Sequence, residues 1–205
     1  MVLGFGFNWR RTYKHQDPDE VINKILIMRT FILLFIVFPF MFYDTGFGLP
    51  GSAIKKMDKT LETYFPDKKI QKNAIILTVA QQSALTFSLK DNNLFKLESD
   101  GVVLGYMYIS DARSKFDKFD YMVIFDPGLS IITTKVLVYR EDYGGEITSK
   151  RWLSQFEGMG TGRQMELGKD IQYISGATIS CNSITAGINQ LSKNMHELFS
   201  KGFLN

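Results

Sequence analysis

The sequence predicts an α+β protein, an antiparallel sheet flanked by helices and preceded by one N-terminal membrane helix or signal segment. Three observations carry that expectation. Short runs rich in β-branched and aromatic residues follow one another from Leu94 to Tyr139, with turn residues between them. A single apolar stripe of helical spacing closes the chain. A strongly apolar, uncharged run, Thr30–Tyr43, lies near its start.

The apolar run comes first. Ile25, Leu26, Ile27 and Met28 extend it upstream, and Arg29 interrupts it. Its length falls between the about 20 residues of a spanning helix and the about 7–15 of a signal-peptide core. Arg10, Arg11, Lys14, Lys24 and Arg29 precede it, so the positive-inside bias leaves the N-terminus in the cytoplasm and the rest of the chain across the membrane. A second reading starts at Met28. There Met28-Arg29-Thr30, the apolar core and Gly51-Ser52-Ala53 form a signal sequence with a small-residue cleavage point. The preceding residues are then a gene-start artefact. Both readings export the domain that follows and differ in whether it stays tethered. The expected organisation is a cytoplasmic tail at residues 1–24, an anchor or signal at 25–45, a linker with an N-terminal helical part at 46–90, and a ligand-binding domain at 91–205.

Within 46–90, Gly46, Gly48, Pro50 and Gly51 suit a flexible exit. Ile54, Met57, Leu61 and Tyr64 then recur at spacings of three and four, a helix that Pro66 stops. Ala74–Leu89 alternates less clearly, as a second helix or a helix-to-strand transition. The meander is expected at Leu94–Glu98, Val102–Ile109, Tyr121–Phe125 and Ile131–Tyr139, with turns at Asp100-Gly101 and Asp126-Pro127-Gly128. Past it come Gly144-Gly145, a short segment over Trp152–Phe156 and a glycine-rich stretch. Ile184, Ile188, Leu191, Met195 and Leu198 mark the last helix, with Gly202 just beyond its end.

Composition narrows the function classes. A net charge of +3 without a basic stripe argues against nucleic acid, and the lone Cys181 excludes an internal disulfide or a multi-cysteine metal centre. His15 and His196 are too distant in sequence to suggest a metal pair. The charges around Lys55, Lys56, Lys68 and Lys69 read as a solvated face.

Chemistry concentrates in Ser175-Gly176-Ala177-Thr178-Ile179-Ser180, just before the final helix. Small residues let a ligand approach the backbone, Gly176 tolerates a positive φ, and hydroxyls of Ser175, Thr178 and Ser180 add donors. The unpaired N–H groups and positive dipole end of the helix suit a phosphate. An ordinary cap by Ser180, Asn182 or Ser183 is the alternative on local physics.

This motif resembles that of the FMN-binding domain family, found in the C subunit of sodium-translocating NADH:quinone reductases and the G subunit of Rnf electron-transport complexes. The family's Ser/Thr-Gly-Ala-Thr-x-Ser/Thr signature is matched throughout. The resemblance implies FMN joined through its phosphate to Thr178 by a flavin transferase, and it extends from Leu94 to the C-terminus. Ser175, Gly176, Ala177 and Ser180 would surround the attachment point, and Glu141, Gly144 and Gly145 would stand for the family's acidic-glycine loop. That loop reads Glu141-Asp142-Tyr143-Gly144 here, against Glu-Thr-Pro-Gly in the family. A second departure is Gln172, six residues before Thr178, where the family usually carries Asp; Asp170 lies two residues earlier.

Arg140 is a candidate to neutralise a phosphate or reduced flavin, or a surface ion pair. Trp152 and Phe156 are candidates to stack on flavin, or core residues at helical spacing. The resemblance implies an extracytoplasmic electron carrier, part of an oxidoreductase complex, fed by a membrane redox partner, with no protein side chain acting as acid, base or nucleophile in turnover. A flavin-dependent reductase of a small acceptor and a non-redox module that has lost its flavin remain as alternatives.

Overall fold

The computed structural model describes residues 48–204 except residue 91. The expected tail at 1–24 and apolar segment at 25–45 lie outside the described residues. Among those described, no helix is long and apolar enough to cross a membrane.

The chain forms helix α1 (Gly51–Tyr64), strand β1 (Gln71–Ala74), a short helix α2 (Val79–Ser83), then strands β2 (Leu94–Ser99), β3 (Val102–Arg113), β4 (Lys118–Phe125) and β5 (Ile131–Val138). A 3-10 turn at Gly145–Thr148, the one-turn helix α3 (Lys150–Leu153) and a second 3-10 turn at Ser154–Phe156 follow. Helix α4 (Thr178–Ser200) ends the fold. The five strands pair antiparallel in the order β1-β2-β3-β4-β5, the expected meander with one strand more.

Turn chemistry sets the register. Asp100 (φ 52°) and Gly101 (φ 77°) both take positive φ, the two-residue hairpin turn whose twist suits its strands. At the Asp126-Pro127-Gly128 turn, Leu129 N donates to Asp126 O (2.9 Å) and Ser130 N to Asp126 Oδ1 (2.8 Å).

Strand β4 is buried along all but its first residue, because both sheet faces are covered. Phe119, Tyr121, Val123 and Phe125 face one cluster, which holds Ile184, Ile188, Leu191, Met195 and Leu198 of α4. Met122 and Ile124 face the other, with Ala53, Met57 and Leu61 of α1. The α4 stripe is therefore the one expected. Helix α4 also comes close to the sheet, since a Cβ on Gly187 would lie 2.6 Å from the Tyr121 hydroxyl.

Three expectations are corrected. Ile54 points outward, and Ala53 takes its place in a stripe at 53, 57 and 61. Residues Gln71–Ala74 form an edge strand paired with β2, where the sequence places no element before a helix or helix-to-strand transition beginning at Ala74. Its four residues are all exposed, so no hydrophobic alternation marks it. Strand β4 begins at Lys118, three residues early, because Asp120 is buried by pairing with Arg140. The linker region is thus no mere spacer: it supplies β1 to the sheet and α1 to its second face.

Candidate functional site

Helix α4 begins at Thr178, the first residue with helical geometry. Ala177 occupies the cap position, and no side chain bonds there; the cap roles considered for Ser180, Asn182 and Ser183 are not taken up. The first turn holds no acidic residue. The N–H groups of this turn and the positive end of a 23-residue helix are therefore left for an outside partner.

The preceding residues aim this end outward. Gly176 has φ 79° with open space where a side chain would stand, and Thr178 and Ser175 are exposed beside it. Ala177 is buried against the glycine loop. A Cβ on Gly144 (φ 73°) would sit 2.8 Å from the Ala177 Cβ and 3.2 Å from the Tyr139 hydroxyl, so only glycine lets this loop close on the motif. Gly145 has open space and starts the 3-10 turn. Tyr139 ties the corner together: its hydroxyl donates to Tyr143 O at 3.1 Å and lies 3.4 Å from Ser180 Oγ. Ser180 is itself buried, supporting the motif from behind.

Beside Thr178 opens a cavity of about 580 Å³. Residues Gly176 to Ser180 form one wall; Tyr139, Glu141 and Tyr143 form a second; Lys115 and Phe116, at the tip of the β3–β4 hairpin, form the third. Phe116 and Tyr143 are 81% and 82% exposed and Ile179 is 48% exposed, an unusual concentration of large apolar groups in water. Lys115 Nζ sits 4.8 Å from the Phe116 ring centroid and is the cavity's one cationic wall residue.

Glu141 lines the cavity, yet its carboxylate is engaged elsewhere. Oε1 accepts from Ser114 Oγ (2.6 Å), Phe116 N (2.7 Å) and Asp117 N (3.0 Å). The Ser114 hydroxyl, then the Phe116 N–H, hold its carboxyl below the usual range. It fixes the hairpin tip that presents Phe116 and Lys115. Arg140 is brought to a different place. Nη2 pairs with Asp120 Oδ2 at 2.5 Å and Nη1 donates to Lys118 O at 2.8 Å, and Arg140 does not line the cavity.

Trp152 and Phe156 are buried and meet edge-to-face at 5.4 Å, away from the Thr178 cavity. Trp152 Nε1 donates to Gln172 O (2.7 Å), and Gln172 N donates to Gln155 Oε1 (2.8 Å). The Gln172 backbone is thereby fixed while its side chain is exposed. Asp170 closes its own turn, accepting from Glu166 N at 2.9 Å and facing Arg163. Cys181 is buried, and that burial pushes its thiol up, away from reactivity.

These residues fit FMN on two counts. The helix start suits a phosphate, and a partly apolar cavity of this volume lies within the about 300–1,000 Å³ typical of ligand pockets. Sequence reasoning missed Lys115, Phe116 and Tyr143. The one available signal was an aromatic in the polar Ser114-Lys115-Phe116-Asp117 tip, where no core needs it.

No curated protein matches the chain in sequence. Among solved structures, NqrC of Shewanella oneidensis is similar, with 14% identity, a TM-score of 0.49, and coverage of 69% of this chain and 92% of that one. Residues 117–193, which run from the hairpin tip through most of α4, match the model of the FMN-binding domain, the family that the Ser175–Ser180 motif resembles.

Proposed function

We propose that this chain is a flavoprotein that carries electrons through FMN esterified by its phosphate to Thr178. The observation that carries this reading is the exposed Thr178 hydroxyl at an uncapped helix start, opening on the cavity walled by Phe116, Tyr139 and Tyr143. Attachment needs a flavin transferase. Thr178 Oγ forms a bond to the FMN-side phosphorus of FAD as the pyrophosphate P–O bond breaks. AMP leaves, and the hydroxyl proton passes to a base of the transferase.

Bound FMN supplies one- and two-electron transfer through its ring. The chain's own residues bind and orient. First-turn N–H groups of α4 would hold the phosphate, Lys115 would add a positive charge at the rim, and the exposed Phe116 and Tyr143 would supply apolar surface for the ring. Glu141 keeps the hairpin tip in place. Glu141, the carboxylate lining this cavity, is tied through Oε1 to Ser114, Phe116 and Asp117, which favours a positioning role for it and carriage over turnover of a small acceptor.

The domain works outside the cytoplasm, tethered or released according to the fate of residues 25–45. Covalent attachment suits a compartment where lost FMN is not replaced. A membrane redox partner or electron-transport complex supplies the electrons, and a quinone-linked or extracytoplasmic acceptor takes them. The test is a redox titration of purified flavin-loaded protein beside steady-state assays with a reduced mediator and candidate small acceptors. Reversible bleaching without turnover supports a carrier. Sustained turnover of a small acceptor makes it a reductase, and absence of flavin after co-expression with a transferase makes it a non-redox module.

A further inference from the structure

A second cavity, of about 340 Å³, lies between α1, β5 and α3 and shares no lining residue with the one beside Thr178. Its walls follow from the periodicities of those elements. Lys56, Lys59, Thr60 and Thr63 are spaced i, i+3, i+4 and i+7 and share one side of α1. Thr133 and Lys135 pair with Ile124 and Met122, whose side chains pack on α1, so both point toward that helix. Lys150 enters from α3.

Four lysines therefore converge on one concavity with one carboxylate, Glu157. That carboxylate is held by neutral groups: Tyr64 Oη and Thr133 Oγ1 both donate to its Oε1 at 3.3 Å. Among the described residues none of the four lysines forms an ion pair, although Lys72, Lys96, Lys118 and Lys169 elsewhere do. Lys56 is half-buried, and its ammonium reaches only Leu137 O at 3.5 Å. Burial, then the charge of Lys135, lowers the Lys56 pKa. The fold thus gathers a net positive charge, four ammonium groups against one carboxylate, in a partly desolvated space, where an anion gains more than on an open surface. Thr60 and Thr63 donate to their own helix carbonyls at 2.8 Å each, so charge rather than hydroxyl donation would do the recognising.

We propose that Lys56, Lys59, Lys135 and Lys150 form a binding site for a ligand carrying two or more phosphate groups, either a soluble diphosphate or the headgroup of a bis-phosphate lipid. The spread of ammonium groups over three elements matches several phosphates better than one.

The test uses the full chain in neutral detergent, titrated with inorganic pyrophosphate and followed by amide chemical shifts. Saturable shifts centred on Lys56–Thr63 and Thr133–Lys135 are expected. They should weaken about tenfold or more in K56Q/K135Q, as removal of charge-assisted hydrogen bonds implies. The exposed single variant K59Q should weaken them less, with an unchanged melt in all variants. Phosphatidylcholine vesicles containing cardiolipin then separate the sources: competition with pyrophosphate assigns a lipid headgroup, and no competition assigns a soluble ligand. Absence of saturable shifts, shifts centred on Thr178–Ser180 instead, or equal affinity in K56Q/K135Q would overturn the proposal.

Discussion

The cavity beside Thr178 and the cavity at Lys56 both suit phosphate, and they do so by opposite means. The first has one lysine, an uncapped helix start and exposed aromatic side chains. The second has four lysines, and the short helix that begins at Lys150 is capped by its own Ser149. The difference separates a site that holds one group by backbone geometry from one that attracts any polyanion by charge. A cofactor that must stay in one orientation belongs to the first, and an exchangeable ligand to the second.

The largest effect should come from breaking the geometry of the first site. Gly144→Val places a Cβ against Ala177 and Tyr139 in a left-handed backbone, at a cost of about 1–3 kcal/mol. Thermal melts should fall, and flavin loading should drop far more than in K56Q/K135Q, which should load normally. Equal loading in Gly144→Val would remove the glycine loop from the site.

Salt sharpens the contrast next. Raising salt from about 0.1 to 1 M shortens the Debye length from about 10 to 3 Å, so pyrophosphate binding at Lys56 should largely disappear. Flavin on Thr178 should survive the same treatment and gel filtration in it.

Acid should loosen the first site through Glu141. Its carboxyl lies below its ordinary value of 4.5, so its contribution is complete above that value and is lost as pH falls through the lower folded one. Hydrogen-exchange protection of the Phe116 and Asp117 amides should fall in that acid range. Glu141→Gln should show the loss already at neutral pH. Protection unchanged in Glu141→Gln would mean the hairpin tip is held by other contacts.

These contrasts also show what a sequence can carry. The α4 stripe was legible because burial on a regular period leaves a mark in residue order, and the β2–β5 meander because β-branched and aromatic runs alternate with turn residues. Strand β1 left none, since Gln71–Ala74 is an exposed edge with no face to bury. The Thr178 motif was legible as a local string. Its walls were legible only in part: the strand end at Tyr139 and Glu141 stood out beside the glycine loop, but Phe116 and Tyr143 join them only through the tertiary fold. Lys56 read as part of a solvated face, and only the register of β5 brings Lys135 to it. Arg140 carried both a ligand and an ion-pair reading, and the burial of Asp120 that decides where its guanidinium goes is a tertiary fact.

The smallest effect is expected at Gln172, where the backbone is tied by Trp152 and Gln155 and the side chain is exposed. Gln172→Asp should change stability by less than about 0.5 kcal/mol. Any gain should appear only in the rate of flavin transfer, followed as the fraction of flavinylated chain over time. A large shift in the melt would show that Gln172 has a structural role.

The most direct test of the central claim is the intact mass of the chain co-expressed with a flavin transferase, beside Thr178→Val. An FMN-sized increment is expected in the wild type and none in Thr178→Val, whose melt should be near that of the wild type. An increment retained in Thr178→Val, or absent from a folded wild type, would contradict that claim.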